Sequence, residues 1–222
     1  TTLPPWLSIN SSTGVLSGTP TNSEVGAHSV VLTATDGSGA VDTQSFTITV
    51  SNVNDAPTVT STQITTATED SAYSYTFKAS DVDSGDKITY AATTLPSWLA
   101  INSTTGVLSG TPTNADVGSH SVVLTATDNA ALKATQSFTI AVTNTNDAPT
   151  NLALSSTSVS EAIAGAVIGT LSASDVDTGD TLTYSVSGAY SSYVEIVSGN
   201  TLKLKSGVAL DYESKNAYGL TL

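Results

Sequence analysis

The sequence predicts an all-β protein built from tandem β-sandwich domains, and three observations predict this fold class. Residues 1–57 and 93–149 align without a gap, and 42 of these 57 positions are identical. A repeat period of about 90 residues suits one small β-sandwich and is too long for a solenoid unit. The segments between turn residues are short and β-branched or alternating, and none has the period of an amphipathic helix.

The predicted strands are segments that are rich in β-branched residues or alternate between apolar and polar residues. In chain order they are Ser29–Thr35, Gln44–Val50, Tyr73–Ala79, Ser121–Thr127, Gln136–Val142 and Val167–Ala173. Turn-prone residues separate them, as in the run Ser-Gly-Thr-Pro-Thr-Asn at 109–114. Short strands with frequent turns favour a sandwich.

Two similar linkers divide the chain. Asn-Val-Asn-Asp-Ala-Pro at 52–57 and Asn-Thr-Asn-Asp-Ala-Pro at 144–149 each end in proline, which cannot donate to a β-ladder and suits the entry to a new domain. We therefore expect three repeats. Repeat 1 (1–57) is the C-terminal part of a domain, repeat 2 (58–149) is a complete domain, and repeat 3 (150–222) is the N-terminal part of a domain.

The two partial domains leave two explanations open. A half sandwich would expose its core face and an open sheet edge. Either the sequence is a window from a longer tandem array, or identical chains complete one another by strand addition. Both halves would supply the same middle strands, which argues against clean complementation and favours the window.

The composition argues against several functional classes. The formal net charge is −13, and lysines, six in number, are the only side chains that are always cationic. So few cations cannot neutralise a phosphate backbone, and we expect no nucleic-acid partner. No apolar run approaches the roughly 18 residues that a membrane-spanning helix needs.

Catalytic arrangements are also missing from the sequence. His28 and His120 have no partner Cys or second His nearby, and neither a Gly-x-Ser-x-Gly motif nor a Ser/His/Asp set is present. Trp6 and Trp98 are flanked by Leu and Ile, so they are expected to anchor cores rather than to stack on sugars. An enzyme is therefore the least supported class.

The acidic residues recur at fixed places in the repeats. They lie in the linkers, in the Asp-Val-Asp-x-Gly-Asp runs at 81–86 and 175–180, at strand ends and after an early strand. Clustered carboxylates repel one another unless a cation joins them, and oxygen donors without nearby His or Cys favour Ca²⁺ over Zn²⁺. The alternative is that these residues only form turns. Three acids within six residues, repeated beside a linker acid, favour calcium.

The order of these groups resembles the calcium pattern of cadherin repeats. Repeats 1 and 2 resemble the dystroglycan-type cadherin-like branch through Leu-Pro-x-Trp-Leu-x-Ile-Asn at 95–102 and Gly-Val-Leu-Ser-Gly-Thr-Pro at 106–112, and repeat 3 resembles an ordinary bacterial cadherin-like repeat. The resemblance covers essentially the whole chain. It implies Greek-key, Ig/cadherin-like β-sandwiches in a linear array, of the kind found in large secreted bacterial surface adhesins.

The resemblance also implies calcium ligands at three junctions between consecutive domains. The first junction would use Asn52, Asn54, Asp55, Asp81, Asp83 and Asp128. The second would use Glu69, Asn144, Asn146, Asp147, Asp175 and Asp177, and a third would use Glu161, Asp211 and Glu213. Further candidates are Glu24, Asp36, Asp86, Asp116 and Asp180.

The chain departs from the cadherin pattern in two respects. Repeats 1 and 2 lack the Leu-Asp-x-Glu motif, and both linkers open with Asn (Asn52 and Asn144) where the pattern has Asp. Each replacement removes one negative charge from the expected site. The number of ions per junction is therefore left open.

The expected function is that of a calcium-rigidified extender in an extracellular adhesin, which holds a distal binding module away from a cell. The partners would be neighbouring repeats of the same chain. One alternative is a module that binds a host or surface peptide or glycan through repeat 3, the most divergent repeat. Another is a filament subunit completed by strand exchange between identical chains.

Overall fold

The structure, a computed structural model, describes all residues from Thr1 to Leu222 and contains no α-helix. The strands are β1 (Leu7–Ile9), β2 (Leu16–Gly18), β3 (Gly26–Thr35), β4 (Val41–Val50), β5 (Thr58–Val59), β6 (Thr66–Thr68), β7 (Tyr73–Thr76), β8 (Ala79–Ser80), β9 (Thr89–Thr94), β10 (Leu99–Ile101), β11 (Val107–Gly110), β12 (Gly118–Thr127), β13 (Lys133–Thr143), β14 (Thr150–Leu154), β15 (Val167–Ser174), β16 (Val194–Val197) and β17 (Thr201–Leu204). Short 3-10 helices cover Asn22–Glu24, Asn114–Asp116 and Ser191–Tyr193. None of these helices is long and apolar enough to cross a membrane.

The chain forms two compact units, Thr1–Val142 and Thr143–Leu222. In the first unit, repeat 2 forms a sandwich of two sheets, with strand orders β10-β11-β7 and β6-β13-β12-β9, and β5 pairs with β8 at its entry. The long hairpin of β12 and β13 is antiparallel and in register from Gly118 opposite Val142 to Thr127 opposite Lys133. This is the all-β arrangement that the sequence predicts.

The core of repeat 2 is formed by the inward-facing residues of both sheets. Phe77, Leu108, Leu124 and Ile140 are completely buried. Along β12 more and less exposed residues alternate as far as Leu124, as expected for a strand with one face on a core, and the two residues that follow are both buried. Trp98 packs against this cluster, as the sequence predicts for a core anchor.

A close backbone approach explains one glycine of the Gly-Val-Leu-Ser-Gly-Thr-Pro motif. A Cβ atom on Gly110 would lie 1.9 Å from the carbonyl oxygen of Trp98, and one on Gly18 would lie 2.0 Å from that of Trp6. Only glycine allows the two backbones to approach this closely at both equivalent positions.

Repeat 1 uses the same local elements with fewer strands around them. β3 and β4 pair from Gly26 opposite Val50 to Thr35 opposite Val41, the register of β12 and β13. The apolar face of this hairpin is less covered: Ile140 is buried, whereas its equivalent, Ile48, is only half-buried.

The predicted strand Tyr73–Ala79 is interrupted in the structure. β7 pairs with β11, whereas β8 pairs with β5. Between them, the N–H of Phe77 donates to the carbonyl of Gly106 at 2.9 Å, and the carbonyl of Lys78 accepts the N–H of Thr60 at 2.9 Å. The prediction of one continuous strand is therefore wrong, because the chain passes from one strand partner to another at these two residues.

The second compact unit contains a four-stranded sheet in the order β14-β15-β17-β16. Its buried cluster is small and consists of Val194, Leu202 and Leu204. A cleft of about 830 Å³ lies beside this cluster, and its lining includes Leu202, Leu204, Tyr190 and Tyr218.

Candidate metal sites

The first candidate site joins the loop after β8 to the end of β12. Asp81 and Asp86 lie in the loop, and Asp128 follows the last residue of β12. One carboxylate oxygen from each of the three residues lies within 4.8 Å of the other two. The Asp-Val-Asp-Ser-Gly-Asp run and the strand-end acid, which are far apart in sequence, therefore form one cluster.

Several oxygens in this loop have no hydrogen-bond donor. Asp81 Oδ2, Asp83 Oδ1 and Asp86 Oδ2 are buried and unpartnered, and only 6% of Asp83 is exposed. A buried carboxylate oxygen without a donor or a cation is costly. A hard divalent cation satisfies several such oxygens together, and the donor set contains only oxygen, which suits Ca²⁺. The residues present therefore fit the ion that the sequence pattern implies.

Hydrogen bonds within the loop fix the directions of its carboxylates. Asp81 Oδ1 accepts the N–H of Asp83 at 3.0 Å, which leaves Oδ2 as the unpartnered oxygen. Asn129 donates from Nδ2 to Asp86 Oδ1 at 3.2 Å, which again leaves Oδ2. The loop is thus set in one conformation by bonds that do not use the oxygens available to a cation.

The linker of repeat 1 binds directly to this loop and to Asp128. The N–H of Asp55 donates to Asp83 Oδ2 at 2.6 Å. Asn54 donates from Nδ2 to Asp128 Oδ2 at 2.8 Å, and Asp128 Oδ1 accepts the N–H of Leu132 at 2.9 Å. Two of the three linker residues predicted for the first junction therefore meet predicted residues of repeat 2, and Asn52 is exposed.

The hydrogen bonds to Asp128 favour its charged form. Burial alone would raise the pKa of this carboxyl group, but the amide of Asn54 and the backbone N–H groups that follow the strand outweigh burial and lower the pKa below its ordinary value. Asp128 is therefore ionised at neutral pH and can act as a metal ligand.

The sequence pattern did not identify Asn22, which lies in the 3-10 helix between β2 and β3. Its Nδ2 donates to Asp55 Oδ2 at 2.6 Å. The only available signal was that the same residue recurs as Asn114 in repeat 2. An asparagine in a Thr-Asn-Ser-Glu turn is otherwise explained by turn formation.

A similar arrangement occurs inside the second compact unit. One oxygen each of Asp175, Asp177 and Asp180 lies within 4.8 Å of the others. The N–H of Asp147 donates to Asp177 Oδ2 at 2.6 Å, and Asn144 donates from Nδ2 to Asp177 Oδ1 at 2.8 Å. The linker thus binds the second acid of the following loop in this unit also.

A third group is formed by Glu161, Asp211 and Glu213, whose oxygens meet the same 4.8 Å limit, and all three residues are exposed. Asp211 also accepts hydrogen bonds from the hydroxyl and N–H of Ser214, which are the main causes of its lowered pKa. The structure therefore brings together the three residues that were predicted for a third junction.

Other candidates are placed differently. Glu69 is buried in the first compact unit, with 1% exposed, and Asn146 donates to the carbonyl of its neighbour Asp147 at 2.9 Å. Asp36 accepts backbone N–H groups of its own turn. Glu24 and Asp116 accept hydrogen bonds from the threonine that begins each of the first two 3-10 helices. For all the candidate ligands, metal binding itself stays a prediction.

The two histidines occupy equivalent structural positions. His120 Nε2 lies 2.6 Å from the carbonyl oxygen of Asp116, and its ring packs edge-on against Trp98 at 6.2 Å between centroids. His28 makes the corresponding contacts with Glu24 and Trp6. These contacts explain both histidines by local packing.

Comparisons with known proteins are consistent with this architecture. A "Serine-rich adhesin for platelets" from Staphylococcus aureus strain MRSA252 is 36% identical over 143 residues, which are 64% of this chain and 10% of the relative. The adhesin of the same name from strain MSSA476 has the same identity over the same length, which is 6% of that protein. The chain therefore spans a tenth or less of the length of these relatives.

Solved cadherin structures share the fold. A PcdhgB3 EC1-4 chain matches with a TM-score of 0.63 and 22% identity, covering 96% of this chain and 58% of that one. Mouse cadherin-23 EC22-24 matches with a TM-score of 0.58 and 21% identity, covering 91% of this chain and 73% of that one. The predicted all-β, Ig/cadherin-like fold class is confirmed.

The family itself follows from a family model described as "Putative Ig domain", which matches residues 1–51 and 56–143. This match and the cadherin structures agree on an Ig/cadherin-like repeat fold. Because the matched residues make up more than half of the sequence, the chain belongs to the putative Ig domain family.

Proposed function

We propose that this chain is an extender segment of a large extracellular bacterial adhesin and that calcium stiffens the junctions between its repeats. The observation that carries the proposal is the cluster of Asp81, Asp86 and Asp128 at the point where the linker of repeat 1 docks, in which Asp81 and Asp86 each have a buried, unpartnered oxygen. The similarity to a staphylococcal surface adhesin supports the extracellular setting.

Calcium at this site would be held by oxygens of Asp81, Asp83, Asp86 and Asp128. The linker residues Asn54 and Asp55 contact Asp128 and Asp83, and Asn52 lies two residues before Asn54. Its chemistry is to draw six to eight oxygens together. Because the linker of repeat 1 contacts the acids of repeat 2, ordering those acids also orders the linker. A linker held in one conformation transmits bending forces instead of acting as a hinge.

The energy available from one such site is modest. Extracellular calcium modules have dissociation constants of about 10⁻⁴–10⁻³ M. At ten times that concentration, one ion stabilises the bound state by about 1.4 kcal/mol. Several sites along the chain, which include the groups around Asp177 and Asp211 in the second compact unit, would together keep a long array extended.

The finer assignments belong to the same proposal. Repeats 1 and 2 are proposed to be dystroglycan-type cadherin-like units and repeat 3 an ordinary bacterial cadherin-like unit, with boundaries at 57 and 149. Their role would be to space a distal binding module from the cell. The acidic clusters near each linker and the near-identity of repeats 1 and 2 support this division.

Calcium titration of the whole chain tests the proposal. The measurements are isothermal titration calorimetry and small-angle X-ray scattering in calcium and in EGTA. We expect binding near millimolar calcium, a less flexible scattering profile, and an affinity reduced by about tenfold in Asp128→Asn, since one charged ligand is lost. Asp42→Asn is the matched control, because Asp42 is an exposed acid outside the clusters. No binding heat and identical scattering in both buffers would contradict the proposal.

A second candidate function is ligand binding by repeat 3, and it is favoured by an aromatic group beside the 830 Å³ cleft. The rings of Tyr190 and Tyr218 lie 5.1 Å apart between centroids, and Lys215 Nζ lies 4.8 Å from the centroid of Tyr190. Such a surface can stack on a sugar ring or an extended peptide. Binding on a glycan or peptide array that is lost in Tyr190→Ala and kept in Tyr73→Phe would support this candidate.

A further inference from the structure

We infer that Asn22 is a positioning residue that, through Asp55, fastens repeat 1 to repeat 2 without a cation. Asn22 Nδ2 donates to the carboxylate of Asp55 at 2.6 Å, and the N–H of Asp55 donates to the carboxylate of Asp83 at 2.6 Å. These two bonds form a continuous connection from the 3-10 helix of repeat 1, through the linker, to the acidic loop of repeat 2.

A second contact runs in parallel with this connection. The amide of Asn54 donates to Asp128 at 2.8 Å. Asp83 and Asp128 therefore each receive a linker hydrogen bond through Oδ2. Hydrogen bonds to a carboxylate are charge-assisted and stronger than neutral ones. The linker is thus bound to repeat 2 by hydrogen bonds to carboxylates, which need no cation.

The second compact unit contains a related pair of linker contacts, in which a different linker asparagine is used. The N–H of Asp147 and the amide of Asn144 both donate to Asp177, at 2.6 Å and 2.8 Å. An Asp at position 144, as in the cadherin pattern, would place two carboxylates side by side and would repel Asp177 unless a cation lay between them. With Asn at position 144, the contact to Asp177 is a hydrogen bond that needs no metal, whereas an Asp–Asp pair at these positions would need a cation.

The consequence is that calcium acts on a junction that is already docked. The unpartnered oxygens of Asp81, Asp83 and Asp86 are separate from the oxygens that accept the linker hydrogen bonds. Metal binding through these three residues can therefore be added without breaking the linker hydrogen bonds. Asp128, whose two oxygens accept the amide of Asn54 and a backbone N–H, would coordinate through the remaining lone pairs of those oxygens. This inference deepens the proposed function, because it assigns the docking of the linker in the absence of calcium to Asn22 and Asn54. Its statement about calcium rests on the proposed function.

The test uses the absence of cysteine, which allows two unique labels on the whole chain. Spin labels at Val41→Cys and Val117→Cys, two exposed positions in repeats 1 and 2, report inter-repeat distances by pulsed electron resonance in EGTA. We expect one narrow distribution for the labelled parent. Asn22→Ala should lower the ratio of docked to undocked linkers by about three- to tenfold, the range typical of one hydrogen bond.

Two further variants keep the result interpretable. Asn22→Asp is nearly isosteric with the native residue and places a second carboxylate against Asp55, so it should broaden the EGTA distribution at least as much as Asn22→Ala. Asn216→Ala makes the same chemical change in an exposed residue of repeat 3 and should leave the distribution unchanged. A parent distribution in EGTA as broad as that of Asn22→Ala would overturn the inference.

A parallel series in calcium separates this inference from the proposed function. If calcium neither binds nor narrows any distribution while the EGTA results hold, the proposed function fails and the inference stands. If the parent is broad in EGTA and narrow in calcium, the inference fails and the proposed function stands.

Discussion

Asp83 accepts the N–H of Asp55 at 2.6 Å through Oδ2, while its Oδ1 is buried without a hydrogen-bond partner. One carboxylate therefore has two separable roles: one oxygen docks the linker, and the other is available to a cation. The two roles respond differently to substitution, because docking needs an acceptor and metal binding needs a charge.

We predict that Asp83→Asn and Asp83→Ala differ in EGTA but not in calcium binding. In Asp83→Asn the amide oxygen can still accept the N–H of Asp55, so the Tm of this variant in EGTA should stay within about 3 °C of the parent. Asp83→Ala removes the acceptor and should lower the Tm by about 5–10 °C. Both should weaken calcium binding by about tenfold or more, since each removes a charged ligand. Equal Tm values for the two variants in EGTA would show that Asp83 does not dock the linker.

The second prediction concerns the identity of the cation. The site offers only carboxylate oxygens from Asp81, Asp86 and Asp128. Ca²⁺ accepts six to eight oxygens in variable geometry, whereas Mg²⁺ demands near-ideal octahedral geometry and loses its water reluctantly. At about 1 mM of either ion, the rise in Tm should be several times larger with Ca²⁺ than with Mg²⁺. Thermal unfolding in EGTA followed by addition of each ion measures the ratio. Equal rises would indicate general charge screening instead of a coordinated site, and a matched rise in ionic strength with NaCl is the control.

The third prediction tests the close approach at Gly110. A methyl group there would lie 1.9 Å from the carbonyl oxygen of Trp98, so either β10 or β11 must shift. Overpacking of this kind typically costs about 1–3 kcal/mol, and Gly110→Ala should lower the free energy of unfolding of repeat 2 by about 3 kcal/mol. Gly37→Ala is the matched control, because no atom lies within 4 Å of the added methyl group. Chemical denaturation should show loss of stability only in the first variant.

Much of the fold could be predicted from the sequence because repeats 1 and 2 are similar enough to reveal the repeat period and because strand patterning is local. β3, β4, β12, β13 and β15 contain the predicted segments. The break between Thr76 and Ala79 could not be predicted, since alternation continues through the break and only the choice of partner strands determines it.

The candidate site was predictable in part for a related reason. The recurrence of acids in the repeats marked Asp81, Asp83 and Asp128 as candidate ligands, and the resemblance to cadherin repeats implied that they share one junction. Asn22 gave no comparable signal, since a single Asn in a turn has an ordinary local explanation. Only the three-dimensional contact with Asp55 reveals its role.

The last prediction concerns Asp116, a further metal candidate that the structure places in a capping turn. Its carboxylate accepts the N–H and the hydroxyl of Thr113, each at 2.9 Å, and these bonds are the main causes of its lowered pKa. A lowered folded-state pKa means that the charged form stabilises the fold. This contribution is complete above the unfolded pKa of about 3.9 and is lost as the pH falls through the folded value.

The variant Asp116→Asn should therefore have a lower Tm than the parent at neutral pH, and the difference should shrink as the pH falls below about 4. Glu24→Gln should behave in the same way, because the carboxylate of Glu24 accepts the hydroxyl and the N–H of Thr21, and these two bonds are the main causes of its lowered pKa. All measurements are made in EGTA and repeated in calcium, with Asp42→Asn as the control. A Tm difference between parent and variant that does not change with pH would exclude the capping role. A Tm difference that is larger in calcium than in EGTA would indicate that Asp116 is a metal ligand.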